Sequence, residues 1–229
     1  MKIMSEKSSL KMQLLQQMSN DIEKAKAAYQ WLNEDQDVDT PQVSAAIESK
    51  PDGIYLVSED GSVILFGPEW KKPESPVKYI GVKWGSRSLA VALHDQANGE
   101  DIILTAKKDE TEYDGYIDTY LDAVANWTGR ANTEHLKQIG LNKEISLTEN
   151  EYIPSLGEML FVFLNRKAIN EALEAVGGTP IDGVWYWTST ESSATRAWPL
   201  NLDDGTVIGI HYAKASNSSR VRAVSAFQL

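Results

Sequence analysis

The sequence predicts an α+β fold, on three observations. Strand patterns come first, two helices follow, and strands close the chain, so βαβ alternation is absent. The longest internal helix carries its own start and stop signals. The closing segment, 185–227, is rich in aromatic and β-branched residues and carries an Asp-Asp-Gly turn.

Each element has its own signal. Residues 54–57 and 63–66 are apolar runs joined by Ser58-Glu59-Asp60-Gly61, a hairpin. Residues 67–76 hold three prolines and read as loop. Strands are expected over 79–84 and 88–93, with a short one at 102–104. Ile117, Tyr120, Leu121 and Val124 stand at helical spacing, so a helix is expected over 116–127, continuing over 133–139 after Gly129. The next helix, 156–176, is the most completely specified. Ser155 and Glu158 form a capping box, and Gly177-Gly178 ends it. Strands then follow at 185–187, 198–202, 206–212 and 221–227. The 206–212 strand leaves its facing open. Ile208, Ile210 and Tyr212 are either core or an exposed apolar patch.

The first 50 residues differ in character. Residues 8–34 contain neither Gly nor Pro, and Leu15, Met18, Ile22, Ala25, Tyr29 and Leu32 step by 3, 4, 3, 4 and 3. That is a heptad seam. Two readings stand: an amphipathic helix on its own domain, or a self-associating helix, with a trimer as the expected form. Residues 33–52 make an acidic connection with two prolines, and a short helix over 42–49 fits it. The expected division is therefore 1–50, a helical oligomerisation and linker segment, and 51–229, the main domain.

Composition narrows the function classes. The net charge of -11 argues against nucleic acid and anionic membrane as partners, because both require a cationic face. Without cysteine, disulfides, zinc–thiolate sites and thiol nucleophiles are ruled out. The N-terminal stretch lacks the apolar core of a signal peptide. No apolar run reaches membrane-spanning length, so membrane insertion is not expected. The expected setting is cytoplasmic synthesis followed by a place on a virion or a cell surface.

Four segments in order carry a resemblance. They are IGV at 80–82 with LAVAL at 89–93, IPSLGE at 153–158, YWTSTE at 186–191, and Ala197-Trp198 followed by Asp204-Gly205 and SRVRAV at 219–224. Together they resemble a bacterial and phage family of C-type-lectin-fold domains, which includes the C-terminal domains of collagen-like adhesins. That family is distantly similar to the formylglycine-generating enzyme fold and to the variable proteins of diversity-generating retroelements. The resemblance covers roughly 50–229 and implies a C-type-lectin-like fold. It implies a ligand-recognition module of a phage tail, a receptor-binding protein or an adhesin of gut-type bacteria. Its ligand would be a surface glycan or a protein. The alternative is an assembly protein with no free ligand site.

Within this frame Trp187, Glu191, Trp198, Arg220 and Arg222 are expected to be structural, with Glu191 a partner for one of the two arginines. The resemblance to retroelement variable proteins maps candidate ligand residues onto Arg196, Pro199, Asn201, Asp203, Ile208, Ile210 and Tyr212. The polar loop after them adds Asn217. Asn201, Asp203 and Asp204 offer oxygen ligands of the kind calcium takes, yet a hairpin turn calls for Asp-Gly by itself. No metal and no cofactor are expected. His94, His135 and His211 are scattered, and HExxH, GxSxG, GxGxxG and P-loop motifs are absent. No catalytic residue is expected. The formylglycine-generating activity of the distant relatives depends on cysteines, which this chain lacks.

Overall fold

A computed structural model of the protein describes residues 50–106, 113–208 and 212–227. The expected helices over 8–34 and 42–49, the heptad seam from Leu15 to Leu32, Ile210 and His211 lie outside the described residues. Those described are mixed α and β with antiparallel pairing between all named strands.

The expected first hairpin forms as β1 (Gly53–Ser58) and β2 (Val63–Phe66), with Ile54 opposite Phe66. Asp60 shapes its turn by accepting the Ser62 N–H at 2.9 Å. β3 (Val77–Trp84) and β4 (Arg87–Asp95) follow as a second hairpin. β5 (Glu151–Tyr152) and the late strand β8 (Arg222–Ser225) complete a six-stranded sheet of order β2-β1-β3-β4-β8-β5. The last strand thus enters between β4 and β5. Its alternation is double-sided: Val224 and Arg222 are buried as fully as Ala223.

Among the described residues, three α-helices lie between β4 and the closing strands. α1 (Tyr120–Ala125) is shorter than the expected 116–127 helix. The reason is tertiary. The Ile117 N–H donates to the Glu191 carbonyl, and the Ile117 carbonyl accepts the Trp198 indole N–H. That backbone is committed elsewhere, so the helix starts at Thr119, whose hydroxyl caps it. α2 (Gly129–Ile139) is a separate helix that begins at Gly129 rather than after it. α3 (Leu156–Val176) matches its expected bounds, with the capping box present and Gly177 left-handed at φ 83.

α3 is buried on more than one side. It packs on β1, β3 and β4, and also on α1 and on the hairpin β6 (Trp185–Ser193) with β7 (Arg196–Asn201). A helix enclosed in this way carries apolar residues around most of its circumference, as Leu156, Met159, Phe161, Val162 and Leu164 do. Gly157 allows the closest approach. A methyl group there would lie 2.5 Å from the Asn126 carbonyl and 2.6 Å from that of Val124.

Two expected strands show only isolated bridges among the described residues. At 102–104 the pairing is one bridge, Ile102 with Ser219. Along 206–212, Val207 bridges Leu200, and further on Ala213 bridges Arg196. Residues 209–211, between those two bridges, lie outside the described residues. The expected 221–227 strand is confined to β8.

Candidate functional site

β6 begins as a regular strand and then bulges. Trp185, Tyr186 and Trp187 pair with Asn201, Leu200 and Pro199, after which the register shifts before Glu191. The alternation puts Trp185 and Trp187 on one side and Tyr186 on the other. Trp187 is fully buried, and its indole N–H donates to the Ile102 carbonyl at 2.8 Å. Tyr186 donates its hydroxyl to Asp95 at 3.0 Å. Burial pushes the Tyr186 phenol far up, and the Asp95 charge adds to that push.

The bulged residues tie three elements together. Ser189 N–H donates to the Pro154 carbonyl at 2.8 Å. Thr190 Oγ1 accepts the Leu156 N–H at 2.9 Å and donates to Asn126 Oδ1 at 3.0 Å. Thr188 donates to the Trp198 carbonyl. YWTSTE and IPSLGE are therefore two halves of one buried contact, with every hydroxyl satisfied. Beneath it, Glu158 accepts the Ser155 N–H at 2.7 Å and the Tyr152 hydroxyl at 3.1 Å. Burial raises the Glu158 carboxyl above its ordinary range despite those donors.

The charged residues pair differently from expectation. Glu191 does not pair with an arginine. One oxygen accepts the Lys214 ammonium and the other lies 2.6 Å from His135 Nδ1. Facing a carboxylate, that nitrogen carries the proton. Glu191 and Lys214 side chains are both 1% exposed. The Tyr113 ring stacks on His135 with centroids 3.6 Å apart. The arginines go to aspartates instead. Arg222 is fully buried on Asp95 and on the Ala92 and Thr179 carbonyls. Arg220 pairs with Asp182 and approaches Asp95 at 3.6 Å. Lys214, expected within an exposed polar loop, is thus a core residue, and Asp95 and His135 join the frame.

The candidate ligand residues divide. Pro199 is buried and offers no contact surface, because both flanks of β7 are covered. Arg196 and Asp203 are exposed, while Asn201, Ile208, Tyr212 and Asn217 are half-buried. Asn201 and Asp203 share the β7 turn, where Asn201 Oδ1 accepts the Asp203 N–H at 2.8 Å. Asp204 accepts the Thr206 N–H at 2.9 Å, and that bond together with the Thr206 hydroxyl lowers its carboxyl. These acidic oxygens serve the turn. Among the described residues no cluster of three or more His, Asp or Glu side chains is placed to hold a metal.

Sequence reasoning passed over Trp185 as a site residue. It is half-buried, and its ring lies 6.0 Å from that of Tyr212 at an interplanar angle of 29°. Tyr212 in turn meets Trp187 edge-on at 4.9 Å. Three rings therefore run from the core to the surface. The Tyr212 hydroxyl is anchored by the Ser218 carbonyl at 3.0 Å and by the Ser219 hydroxyl at 2.9 Å. The available signal was the strand alternation, which puts Trp185 on the face of Trp187.

No family model and no curated protein matches the sequence. Among solved structures the chain is similar to a fimbrial protein from Bacteroides ovatus ATCC 8483, with a TM-score of 0.55 at 17% sequence identity. The likeness covers 77% of this chain and 49% of that protein, so this chain spans about half of its length. At this identity the likeness is one of fold.

Proposed function

We propose that the chain is a non-catalytic recognition module of C-type-lectin-like architecture that binds a surface glycan or protein. The observation that carries this reading is the aromatic end of the β6–β7 pair. There Trp185 and Tyr212 reach the surface on a frame of buried, fully bonded polar residues. Rigid aromatic rings lose little conformational entropy on contact and supply large apolar area, so they dominate recognition surfaces. A fimbrial protein is a surface component, and its likeness supports a displayed role here, of phage-tail or adhesin kind. The non-catalytic part rests on burial. The ion pairs Glu191–Lys214 and Asp95–Arg222 are closed to solvent and so to any substrate. Among the described residues no helix is long and apolar enough to cross a membrane.

The test is a binding screen of the full chain against glycan arrays and whole-cell surfaces. Saturable binding to some member is expected. Uniform failure would favour the second reading, an assembly protein without a free ligand site. One observation favours that alternative. β2 is an edge strand, and its Leu65 is 46% exposed, as a packing contact with a neighbouring subunit would need.

A further inference from the structure

The exposed end of the β6–β7 pair has a chemistry narrower than recognition in general. The Trp185 and Tyr212 rings are close to parallel, yet 6.0 Å separates their centroids. Parallel rings in direct superposition would be far closer, so these are offset, and each leaves part of its ring exposed. Tyr212 cannot swing away, because its hydroxyl is held at Ser218 and Ser219 and its ring edge rests on Trp187. Asn201 stands opposite Trp185 in the ladder. Its Oδ1 is taken by the Asp203 N–H, which fixes the amide plane and turns the two N–H groups of Nδ2 into oriented donors.

The surrounding charge is acidic. Asp203 and Asp204 are exposed on the adjoining turn. Asp203 lies against Gly183, where an added methyl would come within 3.0 Å of its Oδ1. The cations Arg220 and Arg166 adjoin it, and both are half-buried. Arg220 is committed to Asp182, and Arg166 Nη1 is buried beside Gly183. The chain as a whole carries -11. Such a rim repels carboxylated or phosphorylated ligands, since like charges at a rim cost binding and slow association.

Resting on the recognition reading above, we propose that this end binds an uncharged pyranose ring of a surface polysaccharide. The C–H face of the sugar stacks on Trp185 and Tyr212, and a ring hydroxyl accepts from the Asn201 amide. A sugar ring pairs an apolar face with a polar perimeter, which is the complement of an aromatic platform edged by a fixed amide. An acidic polysaccharide is the excluded class.

Affinity electrophoresis of the full chain in gels containing dextran, mannan or galactan tests this, with polygalacturonate as the anionic arm. Retardation by at least one neutral polymer and none by polygalacturonate is expected. Trp185→Leu keeps apolar volume and removes the ring, and it is expected to weaken binding by about tenfold or more. Tyr212→Phe keeps the ring but removes the hydroxyl that holds it at Ser218 and Ser219, and it is expected to weaken binding less than Trp185→Leu does. Melting temperatures of both variants separate lost binding from lost fold. Retardation by polygalacturonate alone overturns the proposal, as does parental binding by a folded Trp185→Leu. Cell-surface binding that protease abolishes, with no polysaccharide retarding the chain, overturns the sugar assignment but leaves the recognition reading standing. Failure of both polysaccharide and cell-surface binding overturns the two together.

Discussion

Lys214 shows how much a single side chain depends on its partner here. Its ammonium is closed from solvent, and Glu191 is its carboxylate partner. Breaking a buried pair by removing one member leaves an uncompensated charge and typically costs about 3–5 kcal/mol. Glu191→Gln is therefore expected to lower unfolding free energy by about that amount, read from denaturant midpoints. Replacing both, as Glu191→Met with Lys214→Met, removes the charges together and is expected to cost far less than the single change. A double-mutant cycle showing simple additivity would refute the pairing. Trp187 gives a smaller, separate test. Trp187→Phe deletes the indole donor to Ile102, whose carbonyl keeps the Ser219 N–H. A loss of about 0.5–1.5 kcal/mol is expected by the same unfolding measurement. None of these partnerships was legible along the chain. His135 and Glu191 are 56 positions apart, and Arg222 and Asp95 are 127 apart. An Arg-Val-Arg strand beside a Thr-Glu motif invites a pairing that the bulge in β6 prevents, because it aims Glu191 at α2 and at the loop after residue 212 instead.

At the scale of elements, legibility tracked local chemistry. α3, the first hairpin and the next two strands could be read closely, because capping, glycine stops and alternation act within a few residues. α1 could not, because Ile117 is held by partners 74 or more positions away, at Glu191 and Trp198. Gly157 reverses the ordinary rule. In an open helix Gly→Ala gains about 1 kcal/mol. Here a methyl would meet two backbone carbonyls of the α1 terminus, which cannot yield as a side-chain tip would. Gly157→Ala is thus expected to destabilise, and a raised melting temperature would refute the close α1–α3 contact. The capping box beside it sets a pH dependence. The folded Glu158 carboxyl titrates above its ordinary value of 4.5, so the folded state holds the proton more tightly than the unfolded state. Its contribution to stability is complete below that ordinary value and is lost as pH rises through the raised one. Relative to Glu158→Gln, which cannot ionise, the parent is expected to lose unfolding free energy across that window. Midpoints measured from pH 4 upward should diverge in this sense, and parallel curves would rule the shift out.

At the scale of the molecule, one weak site is a poor means of holding a surface. A shallow aromatic platform edged by one amide is a low-affinity device, and a repeated one is not. Tethering several copies raises the effective concentration at the second contact and multiplies avidity without new contacts. The heptad seam at Leu15, Met18, Ile22, Ala25, Tyr29 and Leu32 would supply the copies. The mutual repulsion of chains at -11 limits association elsewhere and makes the seam's apolar contacts the natural place for it. Light scattering on the full chain and on a chain beginning at Gln42 tests this. The full chain is expected to show a multiple of its 25.4 kDa mass, with three copies the expected number, and the shortened chain is expected to run as a monomer. The shortened chain should still stack the same sugar, but with retardation reduced by the lost avidity. Equal monomeric masses would refute the seam as an oligomeriser and would require the platform to bind as a single copy.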